Sequence, residues 1–459
     1  MNFQTYQARR QELRKAVHGG AILILANAEA PKNYADNVYP FRQDSNFLYY
    51  VGVNEADMAA LLLPGGEEIL FGREEHPDDL VWHGPHAVLS DHASASGFAG
   101  TGLRKTLAGV VSGLCARGVE IHYLPPYRAE RRFELAEILE TDPRTVDGGV
   151  SQILIKAVIA QRSIKTDAEI AEIEGALAVT AEAYREIMAA TRPGRTEAEL
   201  AAVLQRVALA HDRQQSFNPI VSVRGEVLHN TSYANTLAEG DLLLVDSGAD
   251  SARWYASDIT RTFPVSGTFT SQQRDIYEIV LAMQEAAIAA ASPEKTNREL
   301  HGLAALTAAR GLVDLGLMQG DPHAAVEAGA HALFFPHGLG HMLGQDVHDM
   351  EDLGDLVGYD EGDSRSEQFG LAFLRLAKKL QPGFVITIEP GIYFVPALID
   401  QWQAADRHSE FICYDRLHAY RGFGGIRIED DVLITADGAR VLGSGIPKTV
   451  ADLESVVGR

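Results

Sequence analysis

Residues 242–263 read LLLVDSGADSARWYASDITRTF. The run Leu242-Leu243-Leu244-Val245 is apolar and strand-sized, and Asp246 closes it. An ionised acid at the end of a buried strand has to be paired or has to hold a metal. Taken alone, Asp246 reads as an acid in the turn that Ser247-Gly248 opens. The second half of the stretch weakens that reading. Period-2 alternation puts Asp258, Thr260 and Thr262 on one face and Ile259 on the other. Two strands joined by a short connection bring the two acids together.

Working outward, three more segments carry isolated polar groups of the same kind. Residues 336–349, PHGLGHMLGQDVHD, hold His337, His341 and His348 between glycines, as a loop does whose backbone approaches something closely. A lone histidine is more often a satisfied core group; three in twelve positions need another reason. Residues 384–388 form an apolar run that ends in Glu389 before Pro390-Gly391. In residues 426–434 Arg427 and Glu429 share a face. Four carboxylates and an imidazole suit Mn²⁺, Co²⁺ or Zn²⁺, and no thiolate favours a softer metal. Two divalent ions balance four carboxylate charges, and a two-metal site deprotonates a bridging water at neutral pH. This chemistry does not name a substrate.

The rest of the chain sets the frame. At 459 residues it exceeds one ordinary core. Residues 1–160 alternate short apolar runs with helical stretches, an α/β pattern. Residues 21–25 and 47–51 read as strands, and residues 59–63 and 67–71 as a hairpin around Pro64-Gly65-Gly66. A second domain, 161–459, opens with a helix whose Thr166 and Glu169 form a capping box. Its apolar stripe runs through Ile170, Ile173, Leu177, Tyr184 and Ile187. Further helices are expected near 197–211, 271–292 and 296–316. The acidic stretch 346–363 reads as a solvated loop. With 40 basic against 63 acidic side chains the formal charge is −23. Such a surface disfavours nucleic acid and anionic membranes as partners. No run approaches a membrane span, no secretory signal is evident, and two cysteines make no disulfide framework. The expectation is a soluble cytoplasmic protein with both thiols free and buried. A nucleophile elbow, a zinc helix and a P-loop are all missing from the sequence.

The ordered set Asp246, Asp258, His341, Glu389 and Glu429, each in its own string, resembles the dinuclear site of the pita-bread metallopeptidases. Within that family the strings are most similar to aminopeptidase P and prolidase, which cleave before proline. Residues 39–55, YPFRQDSNFLYYVGVNE, resemble the amino-terminal domain of these enzymes. The resemblance implies an α+β fold: a curved, mainly antiparallel catalytic sheet backed by helices, the pita-bread domain, preceded by a creatinase-like α/β domain. It implies two divalent metal ions, Mn first and Co or Zn as alternatives. Asp246 would chelate one, Asp258 and Glu429 would bridge, and His341 and Glu389 would complete the second. Glu389 would also act as base and then acid. His229 matches a histidine near the leaving group, His348 one that stabilises the tetrahedral intermediate, and His337 one on the proline side. Arg427 matches an arginine beside the ligands. The implied activity is hydrolysis of Xaa-Pro bonds in di- or oligopeptides by a homodimer. Hydrolysis of organophosphate esters, or a non-catalytic binding role, are the alternatives. The sequence departs from the family at Phe217, where a tyrosine is usual. Lower activity, or a shifted balance between dipeptides and longer peptides, is the expected consequence.

Overall fold

A computed structural model describes residues 1–459 apart from 75, 77, 83 and 444. The chain divides into two compact units: Met1–Arg162 with Met350–Gly354, and Ser163–Asp349 with Asp355–Arg459.

In the first unit the apolar run Ala21–Leu25 is the strand that the sequence predicts, and it lies inside a mixed five-stranded sheet. Ala59–Leu62 and Glu68–Gly72 form the expected antiparallel hairpin, and Ala59–Leu62 pairs in turn with Ala21–Leu25. Gly100–Leu103 and Ile121–His122 add the two parallel edges. Leu23, Leu61 and Phe71 pack with Leu107, Val111, Leu114 and Leu135 from the covering helices. Such burial of aliphatic side chains stabilises by ~1.5–3 kcal/mol each.

Residues 47–51 depart from the expectation: Ser45–Tyr50 is a helix, not a strand. Its aromatic content favours strands only when a half-buried pleat is available. Here the Asp44 side chain accepts from Phe47 N at 2.8 Å and caps a turn whose six residues are all buried. The burial leaves no polar face, and so no period to read. The cysteines are free, but Cys115 is exposed and Cys413 only half-buried. The surface position of Cys115 follows from its helix, Leu107–Cys115, which turns Leu107, Val111 and Leu114 inward instead.

The second unit is built on two helix pairs. Asp167–Ala190 packs on Glu197–Ala210, and Ser271–Ala290 on Asn297–Asp314. All four begin alike, with a threonine cap and a Glu or Gln three residues on: Thr166/Glu169, Thr196/Glu199, Thr270/Gln273 and Thr296/Glu299. Each box satisfies amide donors that a helix start leaves orphaned. The strands are antiparallel throughout and fall into three short sheets. Ile220–Ser222, Leu242–Ser247 and Ile259–Pro264 form one. Val385–Ile388, Asp430–Ile434 and Ala439–Val441 form another. Gly391–Tyr393 pairs with Gly425–Arg427, and a bridge from Thr260 to Glu429 links the first sheet to the strands around residue 429. The acidic stretch is not simply solvated: Asp349 is buried, with Lys165 Nζ 3.0 Å from its Oδ2. No helix is long and apolar enough to cross a membrane among the described residues.

Two histidines sit in the core of this unit. His301, on helix Asn297–Asp314, stacks on Phe335 with ring centroids 5.0 Å apart and lies 6.2 Å from His331. Among the described residues no ring nitrogen of either has a hydrogen-bond partner. Burial, then the neighbouring His331 and His337, pushes His301 down to about 3. Burial and His408 push His331 down to about 4. Both rings are therefore neutral when folded, whereas the unfolded chain takes up their protons near pH 6.5. The unfolded state binds more protons between those values. Stability is thus full above pH ~6.5 and falls as the pH drops, by up to ~1.4 kcal/mol per pH unit per group. A His301→Phe variant should show a flatter fall of Tm between pH 7 and 5 than the parent; parallel curves in calorimetry would remove the effect from His301.

Candidate metal centre

Strand register gathers the acids. Asp246 lies opposite Thr260, and Thr260 bridges to Glu429. Asp258 precedes Thr260 by two residues and so shares its face. Ile388 pairs with Asp430, which sets the next residue, Glu389, across from Glu429. The loop before residue 342 runs beside the same strand. Thr387 N donates to His341 O at 3.0 Å, and Glu389 N donates to Leu339 O at 2.8 Å. That close approach explains Gly340, where a Cβ would collide with the carbonyl oxygen of Thr387.

All nine site residues read from the sequence line one cavity of about 610 Å³: His229, Asp246, Asp258, His337, His341, His348, Glu389, Arg427 and Glu429. Asp258, His341 and Glu429 each offer a ligand atom within 4.8 Å of the others. His341 Nε2 is 3.4 Å from Asp258 Oδ2 and 3.6 Å from Glu389 Oε1. Its Nδ1 is 3.0 Å from the carbonyl oxygen of Met342, which favours a proton on Nδ1 and leaves Nε2 as the free donor atom. The rings of His341 and His348 lie 3.9 Å apart.

The electrostatics are those of crowded like charges. Burial, then the charges of Asp246, Asp431 and Glu389, hold Asp258 well above the usual carboxylate range. Burial, then Asp258, Glu389 and Asp246, do the same to Glu429. Glu389 is raised by burial, against the pull of His341 and Arg427. Asp246 Oδ1 and Asp258 Oδ1 are buried without a hydrogen-bond partner among the described residues. Orphaned buried oxygens beside the Nε2 atom of His341 are what a divalent cation would satisfy, so the donor set fits a hard or borderline metal.

Around the acids lies a layer that the sequence reading touched only in part. Arg427 donates to Asp246 Oδ2 at 2.6 Å, to Thr260 Oγ1 at 3.1 Å and to the Tyr393 hydroxyl at 3.0 Å. Burial works against its charge, but Tyr393, Asp246, Glu389 and Glu429 more than offset that and keep it protonated. Thr260 Oγ1 donates to Glu429 Oε2 at 2.6 Å. Behind them Arg261 and Lys448 hold the Asp430 carboxylate against its own burial, at 2.6 and 2.7 Å. The Tyr393 hydroxyl is also 2.8 Å from His337 Nε2, while Nδ1 of that ring is 2.8 Å from the carbonyl oxygen of Gly338. Burial and then the charge of Arg427 push His337 down to about 3, so it stays neutral. Tyr393 was missed. Its signal is in the glycines: a Cβ at Gly391 or Gly425 would collide with its ring. Arg375 was missed as well. It lines the cavity, and its charge lowers the pKa of both His229 and His337. Phe217 lines the same cavity as Asp246, with Ile220 and Leu228.

Comparison with known proteins agrees with this geometry. Residues 171–436 match metallopeptidase family M24, and residues 6–117 match the aminopeptidase P N-terminal domain. The chain is 32% identical to a Homo sapiens Xaa-Pro dipeptidase, over 97% of this chain and 90% of that one. It is also 32% identical to an Escherichia coli Xaa-Pro aminopeptidase, over 99% and 97%. Among solved structures, Pseudomonas aeruginosa aminopeptidase PepP superposes with a TM-score of 0.83 at 29% identity, covering 99% of this chain and 98% of that one. A variant of Escherichia coli aminopeptidase P in complex with substrate does so at 0.83 and 30% identity, with the same coverage.

Tyr393→Phe removes one hydroxyl and leaves an Arg427 donor and a His337 ring nitrogen without it. The variant should lose about 1–3 kcal/mol in denaturant unfolding, the cost of unsatisfied buried polar groups. A loss no larger than that of a surface control would mean that water replaces the phenol at no cost.

Proposed function

The chain belongs to metallopeptidase family M24, and on that premise we propose that it hydrolyses the Xaa-Pro bond of short peptides with two divalent ions, Mn²⁺ first, in its centre. The observation that carries the reading is the convergence of four carboxylates and His341 on one cavity, with two buried acid oxygens left unpaired. Asp246, Asp258, His341, Glu389 and Glu429 would hold the ions. Bound there, such ions supply positive charge that lowers the pKa of water and polarises a carbonyl.

The remaining work falls to the chain's own groups. Glu389 stands at the cavity wall, where its carboxylate takes a proton from the attacking water and returns it to the departing proline nitrogen. His348 lines the cavity as a donor toward the oxygen that becomes negative, and His229 lines it on the leaving-group side. His337, neutral and held by Tyr393, offers a flat apolar face for the proline ring. Arg427 pins Asp246 through a hydrogen bond of 2.6 Å to Oδ2.

Arg375 supports a narrower substrate class. A guanidinium in the cavity favours a peptide whose carboxylate follows proline directly, since Arg matches carboxylates with paired donors. The relatives carry both activities in their names at the same identity, and so do not separate the two. The protein is proposed to work in the cytoplasm as a homodimer, the commonest oligomer.

The deciding assay compares Mn²⁺-loaded and metal-stripped protein on an Xaa-Pro dipeptide, its C-terminal amide and an Xaa-Pro-Xaa tripeptide. Cleavage is expected only with metal and fastest on the free dipeptide. Arg375→Met should raise KM for the dipeptide about tenfold and leave the amide unchanged, matching the loss of a charged hydrogen bond. Failure of all three peptides with metal bound would overturn the peptidase reading.

Phe217 accounts for a second expectation. Phe217 lines the cavity that holds the acids, and in this reading a tyrosine hydroxyl in its place would act as an outer group that tunes ligands. Phe217→Tyr should raise kcat, measured on the preferred peptide; unchanged kinetics would remove Phe217 from any account of rate.

A further inference from the structure

Glu197 is wholly buried, in the first turn of the helix Glu197–Ala210. It is not needed as the helix cap, because Thr196 and Glu199 already form the capping box. Its carboxylate is spent elsewhere. Oε1 accepts from Val223 N at 2.8 Å and from Asn235 Nδ2 at 3.0 Å. Oε2 accepts from Asn235 N and Asn235 Nδ2, both at 3.0 Å. Glu197 N donates back to Asn235 O at 3.0 Å.

Val223 and Asn235 are the two ends of the segment that carries His229. One carboxylate therefore ties both ends of a loop together, with charge-assisted hydrogen bonds at each. The base of the loop is set further by Ser222 Oγ, which accepts from Arg224 N at 3.0 Å and Asn230 Nδ2 at 2.9 Å. Gly225 lies so close to Gly425, two residues from Arg427, that a Cβ there would strike its backbone. Between these anchors His229 is exposed on the cavity wall. A loop of this length without a tie would sample many shapes, since closing it costs entropy that something must offset.

We infer that Glu197 is a positioning residue for His229: its buried carboxylate closes the 223–235 loop and fixes the imidazole on the cavity wall. The kinetic part of this inference rests on the Xaa-Pro reading; the loop closure does not.

Glu197→Gln keeps the shape but turns one acceptor oxygen into a donor that faces donors. Hydrogen exchange of the loop amides should quicken about tenfold or more, while the exchange of the strands Leu242–Ser247 and Val385–Ile388 stays as in the parent. With Mn²⁺-loaded enzyme and an Xaa-Pro dipeptide, kcat should fall about 10- to 100-fold with little change in KM, the scale set by a misplaced catalytic group. The same substitution in a His229→Ala background should cost less than twofold more, because the group that it positions is already gone. Unchanged exchange would overturn the inference. So would an equal loss of kcat in both backgrounds, which would mean that Glu197 acts on something other than His229. Should Glu197→Gln fail to fold, Asn235→Ala removes the two Nδ2 bonds with Glu197 in place, and the same readouts decide. A parent enzyme inactive on every Xaa-Pro peptide would sink the functional reading, and the exchange arm would still decide the clamp.

Discussion

Like charge forced into one buried place is the constraint on which this structure turns. Asp246, Asp258, Glu389 and Glu429 share a cavity wall, with Asp430 and Asp431 directly behind. Two carboxylates 4 Å apart repel by about 4 kcal/mol even at an effective dielectric constant of 20. The fold answers in two ways. At the back it neutralises: Arg261 and Lys448 close on Asp430, and Arg427 closes on Asp246. At the front it leaves Asp258 and Glu429 with raised pKa values and, among the described residues, Asp246 Oδ1 and Asp258 Oδ1 without hydrogen-bond partners. A protein built for stability alone would not keep that front face. That concentration of buried acids is the physical case for a bound cation, made independently of any relative.

The acids were legible in the sequence because each interrupts a clean local pattern. The apolar runs that end in Asp246 and Glu389 can each be a strand end in a turn; together with Asp258, His341 and the alternation that puts Arg427 and Glu429 on one face, they point to a site. Much of the fold was legible on the same ground: Ala21–Leu25, the hairpin after it and the long helices all follow strong periods. The helix at Ser45–Tyr50 was not, because complete burial erased its period and aromatic content pointed to a strand. Tyr393 and Arg375 were hidden for a different reason. Neither breaks a local rule. Tyr393 acquires its role from Arg427, 34 positions away, and only the paired glycines 391 and 425 hint that a ring needs room. Glu197 sits in a helix start that looks complete without it.

Chemistry and selectivity are written in different parts of the second unit. The acids stand on or beside strands, whose register fixes them to each other. Much of the remaining wall comes from outside the strands, with Phe217, His229, Val347, Phe369, Phe373 and Arg375 among its residues. Loops tolerate change far better than paired strands do. The chain is 32% identical both to a dipeptidase and to an aminopeptidase.

One feature of the centre has a bearing on how such an enzyme changes over generations. Asp246, Arg427, Tyr393 and His337 form an unbroken chain of hydrogen bonds from the acid cluster to the part of the cavity wall that His337 lines. Groups wired in this way do not contribute independently. A replacement of His337 that suits a new substrate alters the partner of Tyr393, and through it the arginine that holds Asp246. New selectivity on that wall is therefore taxed by its effect on the ionic end. The exposed rim, where Phe373 and Arg375 stand, is the cheaper ground for divergence.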